Sequence, residues 1–301
     1  MPFHSDTPVG IDPRVDVVFQ KLFGDPQHER VLVQFLNDVL TPASPILRAE
    51  VRNPFHPSKF MEQKSLILDI EARDETGRTF QVEMQRRSDR GLDQRMLYGW
   101  ARLYTEQLER GAAYTTLRSV VSVWVCEEDL FPSARQAHLR FGLVELEERF
   151  LLTADIRFEV LQLSRWKRDR SDLTGEPARP WFWFLNEAEQ WREVPPSINN
   201  EALEEAMEIL NEFRTDVALN ELYRGRLEAE RVERGRQEEL ADALAALVAK
   251  DAALERERAE KERERAEKDA ALQGEARERA EKEAALAELA ALRAALERDR
   301  R

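Results

Sequence analysis

The stretch that decides the fold is SLILDIEARDETGRTFQVEMQ, residues 65–85. Apolar and polar side chains alternate in both halves of it, and the turn DETGR (74–78) separates the halves. Alternation with a period of two is typical of β-strands that bury one face. A short connection containing glycine is typical of a hairpin. The sequence therefore predicts a hairpin of strands 65–72 and 79–85, whose apolar positions are Leu66, Leu68, Ile70, Phe80, Val82 and Met84.

The polar face of this hairpin carries paired carboxylates. Asp69 lies on the first strand, Glu83 and Gln85 share one face of the second, and pairing across the turn can bring Asp69 beside Glu83. Two converging carboxylates repel each other unless a divalent cation lies between them. Carboxylate and main-chain carbonyl oxygens suit Mg²⁺, and a water acidified by that ion can attack a phosphodiester. An acidic, solvent-facing hairpin is the alternative that this spacing leaves open.

Helical periodicity flanks the hairpin on both sides. Residues 15–40 predict two short helices interrupted at Gly24-Asp25-Pro26. A longer amphipathic helix is expected at 92–110, ended by Gly111. The aromatic segment PWFWFL (180–185) predicts a helix docked on the core. A base-stacking platform is the less favoured alternative, because no basic residues interleave the segment.

Two further strands complete an α/β pattern. The run SVVSVWVC (119–126) is the most apolar of the chain and predicts a buried central strand. The segment IRFEVLQL (156–163) predicts another strand. Helices and strands thus alternate over the first two thirds of the 301 residues, which indicates a mixed α/β domain.

Composition excludes several classes of protein. The single cysteine, Cys126, excludes a disulfide framework, and the four scattered histidines form no zinc-binding pair. No apolar stretch reaches the roughly 18 residues that span a bilayer, and no apolar signal segment is evident. The net charge of −13 argues against salt-driven coating of nucleic acid, although a local cleft can still engage it. We therefore expect a cytoplasmic protein with no membrane contact.

The C-terminal third has a heptad pattern. The tetrad RAEK recurs at 258–261, 265–268 and 279–282, and leucines lie seven apart from Leu240 to Leu254. The middle of this segment has no apolar side chain larger than alanine, so helices that pack through it would associate only weakly. A thin coiled coil and a solvated single helix with intrahelical ion pairs both remain open.

This pattern suggests a division into three parts and a mode of assembly. We expect helix association through the tail, with a dimer as the commonest solution. The expected parts are a mixed α/β domain at 1–199, a helical extension at 200–235 and a charged coiled-coil tail at 236–301.

Four segments also carry a resemblance to a known family: DVVFQKLFG (16–24), Lys64 with LDI (68–70), Gly77 with VEMQ (82–85), and RMLY (95–98). Over about residues 12–170 the chain resembles the Rpn family of recombination-promoting nucleases and transposases, within the PD-(D/E)XK superfamily. The resemblance implies a restriction-endonuclease-like PD-(D/E)XK core followed by a long helical tail. The family has lysine directly after the phenylalanine of its first motif, where this chain has Gln20 and then Lys21.

The resemblance also implies a set of metal ligands. Asp69, Glu83 and the Met84 carbonyl would hold Mg²⁺, or another divalent cation such as Mn²⁺. Gln85 stands where the wider superfamily has a lysine. Glutamine can orient an attacking water through hydrogen bonds but carries no positive charge.

Three further residues are implied outside the hairpin. Asp16 would be an additional acidic residue of the site, with a helix-start cap as the alternative. Arg95 and Tyr98, one turn apart on the next helix, would contact the phosphate, with a core position as the alternative for Tyr98.

These residues lead to two competing hypotheses of function. The first is a Mg²⁺-dependent endonuclease that hydrolyses DNA and promotes recombination or transposition, as the Asp69–Glu83 pair favours. The second is a non-catalytic, oligomerising DNA-associated or scaffold protein that retains the nuclease fold, as Gln85 and the acidic N-terminal two thirds favour. A hydrolase of free nucleotides has less support, because the chain has no glycine-rich phosphate loop.

Overall fold

The computed structural model describes residues 7–56, 70–87, 91–170 and 174–299, with side chains described up to residue 290. Its helices are α1 (Asp16–Gly24), α2 (Glu29–Leu40), α3 (Leu92–Thr105), α4 (Leu163–Arg168), α5 (Arg179–Glu187), α6 (Glu201–Thr215) and α7 (Val217–Asp299). Its strands are β1 (Ala49–Val51), β2 (Ile70–Asp74), β3 (Thr79–Gln85), β4 (Val120–Cys126), β5 (His138–Val144) and β6 (Leu151–Gln162). The predicted α/β core followed by a long C-terminal helix is confirmed.

The described strands form one six-stranded sheet in the order β1-β2-β3-β4-β6-β5. Strands β3, β4 and β6 run parallel, while β1 and β2 join antiparallel on one side and β5 joins antiparallel on the other. The predicted hairpin is confirmed in its described part, since Ile70 pairs with Val82 and Arg73 pairs with Thr79. Gly77, at φ +85°, supplies the left-handed residue of the turn.

The central strand β4 is buried at every position, as its apolar run predicts. The edge strands β1 and β5 were not predicted, because β1 has only three residues and β5 exposes most of its side chains. Neither therefore shows the alternation that marks a strand with one buried face.

The two faces of the sheet are covered by different helices. The main core packs α1, α2, α5 and α6 against one face, including Phe80, Val82 and Met84 of β3. A smaller cluster covers the opposite face, where Leu92 and Met96 of α3 pack with Trp124 of β4. The hairpin therefore has its apolar face in the main core, and its polar face lies on the α3 side.

The aromatic helix α5 belongs to the main core. Trp181, Phe182 and Phe184 are fully buried, and the Trp181 ring lies edge-on to Phe35 at 5.2 Å between centroids. The docked-helix prediction is confirmed, and the base-stacking alternative is wrong because these rings have no solvent-facing surface.

Two predicted boundaries differ from the structure. The helix expected at 92–110 ends at Thr105, and Gly111 lies beyond it at φ +88°. The strand expected at 156–163 begins at Leu151, because its first residues pair with β5 across an irregular register near Gly142. Leu163, placed last in that strand by its alternation, is the first residue of α4.

The C-terminal helices begin at Asn200, as predicted. Its side chain caps α6 by accepting hydrogen bonds from the amides of Ala202 at 3.0 Å and Leu203 at 3.3 Å. The chain divides into two compact units, Met1–Glu230 and Arg231–Arg301. In the second unit, the described side chains are exposed throughout, including Leu240, Leu247 and Leu254. Over the described residues, the structure has no helix with the length and hydropathy of a membrane span.

Candidate active site

The candidate site is built on β3, where polar residues alternate with core residues. Phe80, Val82 and Met84 enter the main core, so Gln81, Glu83 and Gln85 share the opposite face. Helix α3 lies close above this face because residue 99 is glycine. A Cβ at Gly99 would lie 3.1 Å from Gln81 Nε2, so a larger residue would require the Gln81 amide or the helix to shift by a few tenths of an ångström.

A short hydrogen-bond relay orients the Glu83 carboxylate. The Ser122 hydroxyl donates to Gln81 Oε1 at 2.9 Å, and Gln81 Nε2 donates to Glu83 Oε1 at 3.0 Å. Ser122 stands directly opposite Gln81 in the parallel ladder. Sequence reasoning missed both residues. Their signals were the period-two step from Gln81 to Glu83 and the serine that interrupts the apolar run of β4.

Arg95 of α3 lies beside Glu83 and Gln85. Its Nη2 donates to Gln85 Oε1 and lies 3.6 Å from Glu83 Oε2. Its guanidinium stacks over the Trp124 ring at 5.3 Å from the centroid. The structure thus brings together Glu83, Gln85 and Arg95, three of the residues that the sequence singled out.

The amide of Gln85 has a defined orientation. Its Nε2 donates to the Arg87 carbonyl at 2.5 Å, so Oε1 is the atom directed to Arg95. The Gln85 backbone carbonyl accepts a hydrogen bond from Glu127 N of the neighbouring chain segment at 2.9 Å. Because successive carbonyls of a strand point to opposite sides, the Met84 carbonyl is directed away from β4, to the side where β2 lies.

Asp69 and Lys64 lie outside the described residues. Within the described ranges, no three His, Cys, Asp or Glu side chains converge as a metal site would require. The candidate ligands present at β3 are the Glu83 carboxylate and the Met84 carbonyl, and the Gln85 amide oxygen lies beside them. This all-oxygen set fits a hard cation such as Mg²⁺ rather than zinc, which favours nitrogen and sulfur ligands.

Comparison with known proteins decides the family. The family model described as PD-(D/E)XK nuclease family transposase matches residues 13–239, well over half of the chain. The chain belongs to this family. No curated protein and no solved structure matches. Membership supports a nuclease- or transposase-related role, and the six-stranded mixed sheet is consistent with a PD-(D/E)XK core.

The acidic residue of the first helix has an ion-pair partner. Asp16 is the first residue of α1 and is buried, with its carboxylate bonded by Arg226 of α7 and by the Val17 amide. The N-cap position itself belongs to Val15, which makes no side-chain cap. The described partners of the Asp16 carboxylate therefore lie on α7 and α1, and none of them belongs to β3.

An ion network holds the end of β3. Arg86 donates to Glu127 at 2.9 Å and to Glu230 at 2.5 Å, and Arg14 also bonds Glu127, at 3.1 Å. Burial raises the pKa of Glu230, an effect that the charge of Arg86 opposes. Burial alone would lower the pKa of Arg86, but the surrounding carboxylates raise it, so the guanidinium stays charged. The fourth turn of α7 is thereby bonded to Arg86, the residue that follows Gln85.

Two other residues bear on the site. Tyr98 has 72% of its side chain exposed on α3, so the core position that the sequence slightly favoured is wrong. Cys126, which pairs with Gln85 in the ladder, is buried. Burial, reinforced by the nearby Glu83 charge, raises the pKa of the Cys126 thiol to about 12, so it remains protonated and is no nucleophile at neutral pH.

Proposed function

We propose that this protein is a divalent-metal-dependent endonuclease that hydrolyses phosphodiester bonds in DNA. The observation that carries the proposal is the half-buried Glu83, oriented by Gln81 and flanked by Gln85 and Arg95. This arrangement lies inside the segment that the family model matches. We further propose that the protein acts in the cytoplasm and that the cleavage serves recombination or transposition.

Asp69 supplies the second carboxylate in this proposal. In the described part of the hairpin, Ile70 pairs with Val82 and Glu71 pairs with Gln81, which agrees with the register assumed in the sequence-based pairing of Asp69 with Glu83. Residues directly opposite each other across a ladder have their side chains on the same face. The register of the described residues therefore supports the sequence-based expectation that Asp69 and Glu83 act together.

Asp69, Glu83 and the Met84 carbonyl would hold Mg²⁺ or Mn²⁺. A divalent cation held there would supply Lewis-acid stabilisation of the phosphate charge and a more acidic coordinated water as nucleophile. The Ser122–Gln81 relay already orients the Glu83 carboxylate, so this side chain would need little reorganisation when the metal ion binds.

Gln85 and Arg95 together would fill the two roles, water orientation and charge stabilisation, that one lysine fills in the wider superfamily. The Gln85 amide can orient the attacking water by hydrogen bonding but brings no charge. Arg95, bonded to Gln85, supplies a permanent positive charge that can offset the developing charge on the phosphate. Tyr98, exposed one turn further along α3, is proposed as an outer contact with the nucleic acid.

Replacement of Gln85 tests whether this residue orients the attacking water without binding the metal ion. We expect Gln85→Ala to lower kcat about 10- to 100-fold, because the attacking water loses its orientation. We expect metal affinity to change little. Gln85→Lys should retain or raise activity, since it restores the charge of the superfamily. Nicking kinetics and calorimetric metal titration measure the two effects, with the exposed Gln94→Ala as the control. Cleavage by Gln85→Ala at the wild-type rate would contradict the assigned role.

The alternative is a non-catalytic, oligomerising DNA-associated or scaffold protein. The observation that favours it is Gln85 itself, which replaces the superfamily's charged side chain. A plasmid-nicking assay of wild type and Asp69→Ala, with and without Mg²⁺, distinguishes the two proposals. Mg²⁺-dependent nicking lost in Asp69→Ala supports the nuclease, whereas DNA binding without cleavage by the wild type supports the scaffold.

The heptad repeats of the tail suggest that the protein dimerises. Each site of this kind cleaves one strand, so a dimer would cut both strands of a duplex. Because the first compact unit ends at Glu230, a chain of residues 1–231 keeps the Arg226–Asp16 and Glu230–Arg86 contacts. We expect the full-length chain to be a dimer, and residues 1–231 to be a folded monomer that nicks DNA without making double-strand breaks.

Light scattering and circular dichroism of the two chains measure this prediction. A chain ending at residue 256 retains Leu240, Leu247 and Leu254. It is the control that tests whether this leucine segment is sufficient for dimerisation. A full-length monomer at micromolar concentration would contradict dimerisation through the tail.

A further inference from the structure

Arg95 contacts the proposed metal ligand Glu83 and the neighbouring Gln85, which is proposed to orient the attacking water. Its Nη2 is bonded to Gln85 Oε1 and lies 3.6 Å from Glu83 Oε2. Because Gln85 Nε2 is engaged with the Arg87 carbonyl, the amide oxygen stays turned toward the guanidinium. The Arg95 guanidinium therefore lies against both oxygens.

A divalent cation bound to Glu83 and a guanidinium beside the same carboxylate would lie only a few ångströms apart. Like charges a few ångströms apart repel strongly in a partly buried site, and the Glu83 side chain is only 15% exposed. We propose that Arg95 is a built-in stand-in for the metal ion: it neutralises Glu83 in the metal-free protein and must swing away when the ion binds. This inference rests on the proposed metal site.

The side chain of Arg95 can move while its helix stays in place. Helix α3 is held by the close approach of Gly99 to Gln81 and by Trp100 Nε1, which donates to the Val120 carbonyl at 3.0 Å. The Arg95 side chain, by contrast, is 48% exposed. A guanidinium released from Glu83 would remain at the mouth of the site, where a substrate phosphate can accept it.

Arg102 provides an internal comparison on the same helix. It lies two turns from Arg95 and is paired with Glu71 at 2.5 Å and with Glu106 at 3.4 Å. Removal of Arg102 changes the net charge of the helix by the same amount but leaves the Glu83–Arg95 contact in place. Comparison of the two arginine variants therefore distinguishes competition between Arg95 and the metal ion for Glu83 from a general effect of positive charge on metal affinity.

The test is calorimetric titration of the full-length chain with Mn²⁺ in the absence of DNA. Arg95→Met keeps an apolar stem over Trp124 but removes the charge, and it should bind Mn²⁺ about three- to fivefold more tightly than the wild type, the range expected for loss of one partly exposed ion pair. Arg95→Lys, which keeps the charge, should bind like the wild type, as should Arg102→Met.

Each result has a defined consequence. Equal affinity of Arg95→Met and wild type, or equal gains in Arg95→Met and Arg102→Met, would overturn the stand-in role and leave the metal site intact. No binding by any of the chains would overturn the metal site and the stand-in role together. Binding detectable only in Arg95→Met would support the stand-in role in its strongest form.

Tryptophan fluorescence gives a second readout that is independent of cleavage. If Mn²⁺ displaces the guanidinium from the Trp124 ring, the wild-type emission should change on titration beyond the quenching produced by free Mn²⁺. Mg²⁺, which does not quench, should produce the same change. Arg95→Met should show no such change. An identical Mg²⁺ response in both chains would contradict displacement.

Discussion

Glu83→Gln is expected to abolish metal-dependent DNA cleavage, with a loss of at least about 100-fold in kcat. The substitution keeps the shape of the side chain and an acceptor for the Gln81 amide, but it removes the negative charge on which a divalent cation depends. Nicking of supercoiled plasmid over a range of Mg²⁺ concentrations measures the loss. Calorimetric titration should show that Mn²⁺ binding is lost as well.

Glu71→Gln is the matched control for this prediction. Glu71 lies on the same polar side of the hairpin, opposite Gln81, but its carboxylate is paired with Arg102 at 2.5 Å. We expect this variant to cleave DNA at close to the wild-type rate. Circular dichroism should show both variants folded. If Glu83→Gln cleaves as fast as Glu71→Gln, Glu83 does not belong to a metal site.

Trp181→Ala is expected to lower the free energy of unfolding by about 3–5 kcal/mol. The Trp181 ring is fully buried and packs against Phe23 at 5.9 Å and Phe35 at 5.2 Å between ring centroids. Its Nε1 donates to Asp38 at 2.8 Å, so truncation also leaves that carboxylate with one donor fewer. Denaturant unfolding of wild type and variant measures the difference.

The loss should depend on pH. Burial raises the pKa of Asp38, and the Trp181 hydrogen bond opposes that rise, so the variant should raise this pKa further. When a carboxyl group has a higher pKa in the folded than in the unfolded state, the folded state loses stability as the pH rises from the unfolded pKa to the folded pKa. The destabilisation should therefore be larger at pH 7 than below the unfolded pKa of Asp38. Trp183→Ala, at a partly buried position of the same helix, is the control and should cost less. An equal cost for the two variants would contradict the assigned role of Trp181 in the core.

The sequence by itself determined the elements that have a strong local period. Alternation in residues 79–85 predicted which side chains of β3 enter the core, and the apolar run at 119–126 predicted the buried central strand. The break at Gly24-Asp25-Pro26 and the change to helical periodicity at residue 200 likewise marked helix ends. These features follow from backbone preference and side-chain direction within a few residues, which a single sequence expresses directly.

Only the tertiary structure decided which distant side chains meet at the candidate site. Gln81 and Ser122 are 41 residues apart, and their hydrogen bond exists because β3 and β4 pair in one particular register. The contact of Arg95 with Glu83 depends on Gly99, which lets α3 approach the sheet. Asp16 pairs with Arg226, 210 residues away, because the first turns of α7 pack against the main core. Such contacts depend on how elements pack, and packing is a sum over many non-local interactions that no local pattern encodes.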